Sequence, residues 1–116
     1  MNTILSIQGK LCEKYRADFL VSPPDFKVGI ALNVRNGLMP INGLRHSVEG
    51  DTSGWYIWAG TEFSNNPDFF VPIHVAHLDE WCPIVIKYLG LAPGWRFIVT
   101  EDGYEDVWKD ETLLSR

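Results

Sequence analysis

The sequence predicts an α+β fold: an antiparallel sheet of about four to five strands, with an N-terminal helix and a second, proline-interrupted helix packed on one face. Three observations point there. Apolar residues recur at helical spacing over 4–15 and again over 75–89, while 27–34, 54–60 and 95–100 read as strands. The order helix, strands, helix, strands suits a sheet with helices on one side. Apolar residues make up 46% of 116 positions, enough for one core, so residues 1–116 are expected to form a single domain.

Ile4, Ile7, Leu11 and Tyr15 define the first apolar seam, carrying a helix through about residue 17 despite Gly9 within it. Pro23-Pro24 breaks the chain, because proline lacks a donor and pushes its predecessor out of helical geometry. Val28, Ile30, Leu32 and Val34 then alternate as one face of a strand. Asn36-Gly37 reads as a hairpin turn, and Pro40 assigns the returning strand to an edge. Residues 42–54 lack periodicity and read as a long loop, a feature of functional segments.

Gly54–Gly60 is an aromatic strand with Trp55 and Ile57 on one side and Tyr56 and Trp58 on the other, hence central. A polar loop, Ser64–Asp68, leads to Phe69-Phe70-Val71-Pro72. Val75, Leu78, Cys82, Val85 and Leu89 form a second helical seam. Pro83 either kinks it or opens a new helix, and Gly90 stops it. Pro93-Gly94 turns into the strand Trp95–Thr100, and Tyr104–Trp108 is a last short strand.

Composition excludes several functions. No apolar run approaches the roughly 20 residues of a membrane-spanning helix, and the opening residues lack a signal-peptide pattern. The two cysteines, Cys12 and Cys82, form no disulfide framework, which reads as a cytoplasmic chain with reduced thiols. The net charge is −5 and uneven: residues 59–116 hold four Lys/Arg against ten Asp/Glu. Glu101, Asp102, Glu105, Asp106, Asp110 and Glu111 crowd one stretch, which repels nucleic acid and attracts a basic protein surface.

The chemistry-bearing residues form no catalytic signature. His74 and His77 are spaced three apart near Cys82, but no zinc-protease motif surrounds them, so no metal site is assigned. His46 and Ser47, with Glu49 and Asp51 beyond, lack the glycine-flanked elbow of a hydrolase nucleophile. Neither a P-loop nor a dinucleotide glycine pattern occurs, and no cofactor is called for. Of the five tryptophans, Trp108 sits among carboxylates and is the one expected near the surface.

Several segments carry a resemblance. Phe26–Val34, Asn42–His46, Gly50–Trp58, Asp68–Val75, Leu89–Phe97 and Tyr104–Trp108 are similar to bacterial immunity-protein-thirty-three-like domains over roughly residues 25–114. The resemblance implies a non-enzymatic protein that neutralises a cognate toxin by binding it in the cytoplasm. The contact surface expected from charge is Glu101, Asp102, Glu105, Asp106, Trp108 and Asp110, facing a basic toxin cleft. A second candidate surface is Arg45, His46, Glu49 and Asp51. The alternative is a small-molecule or enzymatic site in which the 42–54 loop covers a tryptophan-lined cleft; a deep pocket beneath Arg45 and His46 would mark it.

Overall fold

In the computed structural model, which describes residues 3–61 and 69–114, six strands hydrogen-bond into one mixed sheet. They are β1 (Lys27–Ala31), β2 (Ile41–Arg45), β3 (Thr52–Ala59), β4 (Phe70–His74), β5 (Trp95–Val99) and β6 (Glu105–Lys109), arranged β4-β1-β3-β2-β5-β6. β1 and β3 run parallel; every other neighbouring pair is antiparallel. The α+β class stands, with more strands than expected and one parallel pair. The loop expected at Ser64–Asp68 lies outside the described residues.

Helix α1 (Thr3–Tyr15) and a broken second helix cover one face. Pro83 divides the latter as its chemistry requires. A 3₁₀ turn at Val75–His77 and the single α-turn α2 (Leu78–Trp81) precede it, and a 3₁₀ segment, Pro83–Tyr88, starts on the proline. Leu11, Leu78, Val85 and Leu89 meet Val28, Ile30, Trp55, Ile57, Phe97 and Val107 in the main core. On the opposite face Leu113 closes a smaller cluster with Ala31, Leu44 and Trp58.

Four expectations need correction. The inward side of α1 is Gln8, Leu11 and Cys12, while Ile4 and Ile7 of the predicted seam are 50% and 46% exposed. Gln8 turns inward because its Nε2 donates to the Ile86 carbonyl at 2.8 Å. The Asn36-Gly37 hairpin is absent: β1 ends at Ala31 and a 3₁₀ segment, Leu32–Asn36, leads away from the sheet, with Gly37 (φ 73°) at its C-terminal cap. Asn33 drives this departure, its amide exchanging hydrogen bonds with the backbone N–H and C=O of Ala59 in place of ladder bonds.

The other two concern β2. Pro40 immediately precedes that strand, which lies inside the sheet between β3 and β5 rather than at an edge. Pro72, on the terminal strand β4, occupies the edge position. Nor is 42–54 one long loop. Ile41–Arg45 and Thr52–Ala59 are strands, leaving 46–51 as the connection. All five residues of β2 are buried, so no polar–apolar alternation marks it.

Two glycines show how differently this residue is used. A Cβ at Gly9 would meet nothing within 4 Å, whereas one at Gly43 would fall 2.2 Å from the Phe97 ring. Gly9→Ala should therefore stabilise the fold by up to about 1 kcal/mol. Gly43→Ala should destabilise it by about 1–3 kcal/mol. Chemical denaturation of the two variants checks both signs.

Candidate functional site

Arg45, expected at a binding surface, is the most deeply placed cation among the described residues. Its side chain is 0% exposed and lies on the helix-covered face of β2. Nε donates to the Ser53 carbonyl at 2.9 Å; Nη1 donates to those of Leu20 at 2.7 Å and Leu91 at 2.8 Å. Longer bonds, each 3.4 Å, reach Leu89 and Val21. Among the described residues no carboxylate pairs with it. Burial lowers its pKa to about 10, still protonated at neutral pH.

The surroundings of Arg45 are equally committed. Ser22 Oγ donates to the Leu89 carbonyl at 2.7 Å, and Trp55 Nε1 donates to Ser22 Oγ at 3.1 Å. Ser53 Oγ donates to Lys27 O at 2.8 Å. His46 Nδ1 faces the Leu113 carbonyl at 3.1 Å, and its ring meets Tyr56 edge-on. Glu49 and Asp51 are exposed on the 46–51 connection, with Asp51 3.1 Å from Lys27. The four residues of the second candidate surface therefore do not converge: Arg45 points into the core and the two acids point to solvent.

The two tryptophans of β3 do not wall one cleft. Trp55 is buried against Phe97 and beside Arg45, and Trp58 is on the other side of the sheet. A groove of about 190 Å³ on the open face, lined by Gly29, Tyr56, Phe70 and Pro72, carries Lys27 but neither histidine nor carboxylate. Beside α1, a 370 Å³ groove is lined by Ile4, Ile7, Pro83, Ile84, Ile86 and Lys87. No group of three His, Cys, Asp or Glu side chains with metal-binding geometry occurs among the described residues. His77 Nδ1 lies 3.2 Å from Glu80 instead.

The acidic stretch splits by strand parity. Glu105 and Val107 turn toward the helices; Asp106 and Trp108 turn to the open face. Glu105 is a clamp: Tyr88 Oη donates to it at 2.5 Å, Tyr15 Oη also donates, and Lys14 and Lys87 lie 2.9 and 3.4 Å away. Burial alone would raise its pKa, but the hydrogen bonds from Tyr15, Tyr88 and Lys14 outweigh that and hold it at about 2.

On the other side, Tyr104, Asp106, Trp108 and Asp110 form a stripe of alternating aromatic and acidic residues. Tyr104 is 57% exposed, Asp106 is exposed, and Trp108 is half-buried beneath the Arg96 guanidinium, 5.4 Å from its ring. Arg96 also pairs with Asp110 at 3.2 Å. Asp102 accepts from Thr100 Oγ1 and, at 3.4 Å, from the Tyr104 N–H, and Glu101 is exposed beside it. Sequence reasoning found this stretch by charge; the alternation of β6 separates its members.

With this geometry in place, comparison with known proteins adds one finding. The profile of the Imm33-like domain matches residues 7–110. The chain belongs to the Imm33-like domain family. No curated protein and no solved structure matches it. The matched span takes in α1 from Ile7 onward, the six strands and the stripe on β6, so the family relationship covers both faces of this Imm33-like sheet.

Two tests follow from these environments. Arg45→Met strands several buried carbonyls and should cost at least about 3 kcal/mol in denaturant unfolding. For Glu105, the folded pKa lies below the ordinary 4.5, so its stabilisation is fully present above 4.5 and is lost as pH falls toward 2. Stability measured across that window should drop in the parent and drop less in Glu105→Gln.

Proposed function

We propose that this Imm33-like chain is a non-enzymatic immunity protein that binds and neutralises a cognate bacterial toxin in the cytoplasm. Family membership supports the class of activity. The observation that carries the choice of surface is the stripe Tyr104, Asp106, Trp108 and Asp110, with Glu101 and Asp102 at its end. Aromatic side chains bury large area at little entropic cost, and Trp108 is already oriented by Arg96. The surrounding carboxylates would steer a basic cleft onto it. Glu105 contributes to that surface only indirectly, by fixing β6 to α1 through Tyr15 and Lys14.

The test is protection of bacteria producing the co-produced toxin, together with the affinity of the purified pair. Trp108→Ala and Asp106→Lys should each weaken binding by about tenfold or more and reduce protection, at unchanged melting temperature. Glu49→Lys, on the 46–51 connection, should leave both intact. Full protection by both stripe variants would place the contact elsewhere.

A further inference from the structure

β6 ends the sheet, and its hydrogen-bonding parity shows which backbone groups are left over. Thr100 N–H donates to the Tyr104 carbonyl at 3.1 Å, and Asp110 N–H donates to the Gly94 carbonyl at 2.6 Å. The register between them pairs Ile98 with Asp106 and Arg96 with Trp108. In an antiparallel ladder the bonded residues alternate, so the even positions of β6 bond to β5. The N–H and C=O of Glu105, Val107 and Lys109 therefore point outward, and among the described residues no strand pairs with them.

We infer that β6 accepts an added antiparallel strand, and that its occupant is an extended basic segment of the toxin polypeptide. This rests on the proposed function and names its docking mode. Main-chain bonds to Glu105, Val107 and Lys109 supply the binding, and alternate side chains supply the specificity. On the open face the added strand lies beside Asp106, which has no cation paired with it among the described residues, and beside Tyr104 and Trp108. Lys or Arg opposite Asp106 completes that row. On the helix face an apolar residue opposite Val107 extends the core edge.

Charge selects a foreign strand over a second copy of this chain. Antiparallel self-pairing centred on Val107 would set the Asp106 carboxylates of the two copies diagonally across the open face, while Asp110 of each stays paired with Arg96. On the helix face it would bring Lys109 of one copy toward Glu105 of the other, which Lys14 and Lys87 already neutralise. The two Asp106 carboxylates then lie near each other with no cation between them, and Lys109 meets a carboxylate whose charge is already balanced, so self-pairing gains little from charge. A strand with basic residues on one side and apolar residues on the other supplies the cation that Asp106 lacks.

The test uses the full-length chain, ¹⁵N-labelled, and a capped synthetic heptapeptide alternating arginine and valine. Binding should slow amide exchange at Glu105, Val107 and Lys109 by about fivefold or more, with little change at Asp106 and Trp108, which are already bonded. A backbone N-methylated peptide should not bind. Asp106→Lys should lose about tenfold in affinity for the arginine peptide and gain affinity for a glutamate–valine counterpart.

No response of β6 at millimolar peptide overturns the inference, as does binding that leaves the three amides unslowed. Slowing of the same amides without peptide, accompanied by dimerisation in sedimentation, replaces the foreign strand with a second copy. If the edge fails this test while the chain still protects cells, only the docking mode falls. If the edge binds the peptide but no toxin is neutralised, the proposed function falls and strand acceptance remains.

Discussion

Arg45 ties together three segments of the chain that are distant in sequence. Its guanidinium bonds to carbonyls at 20–21, at 53 and at 89–91, so the chain after α1, the start of β3 and the end of the broken helix converge on one group. A buried cation is costly unless its donors are satisfied. Here backbone oxygens supply the satisfaction in place of a carboxylate, and guanidinium, planar and weakly hydrated, suits that role better than ammonium. Leu89 O also accepts from Ser22 and Trp55, which draws the polar residues of the core into the same network.

The sheet built around that network has two unlike faces. One is closed by α1 and the Pro83–Tyr88 segment, with Tyr88 stacked on Phe97. Among the described residues the other carries Leu113 and an aromatic row running through His46, Tyr56 and Phe70. Strand β6 divides its acids between the two faces. Glu105 becomes an internal fastening, and its immediate neighbour Asp106 remains available to solvent. A contiguous acidic run in sequence is thus two populations in space, separated by the period of the strand.

How much of this was legible in the sequence depended on which signal each element carries. β3, β5 and β6 could be read because aromatic and β-branched residues sit between glycine or proline boundaries. Pro83 marked the break in the second helix correctly. The strand near Pro40 was expected short and at an edge because Asn42, Gly43 and Arg45 are buried for reasons that hydropathy does not record: an amide bonded to the Trp58 and Gly60 carbonyls, a glycine under a ring, a cation among carbonyls. The Asn36-Gly37 hairpin was misread because Asn33, three residues earlier, had already redirected the chain. The position of Glu105 depended on Tyr15 and Tyr88, far away in sequence, and no local pattern announces such partners.

The contact between Gly43 and the Phe97 ring has a consequence for how this family can vary. The two positions are partners across β2 and β5, and the ring occupies the volume that any side chain at 43 would need. Phe97 in turn packs against Tyr88 and Trp55, so it has no room to withdraw. Drift at one position is therefore conditional on the other: a relative carrying alanine or serine at 43 needs a smaller residue at 97, or a trimmed aromatic at 88 or 55. Size at these sites behaves as a shared inheritance, which a comparison of many relatives would detect as covariation.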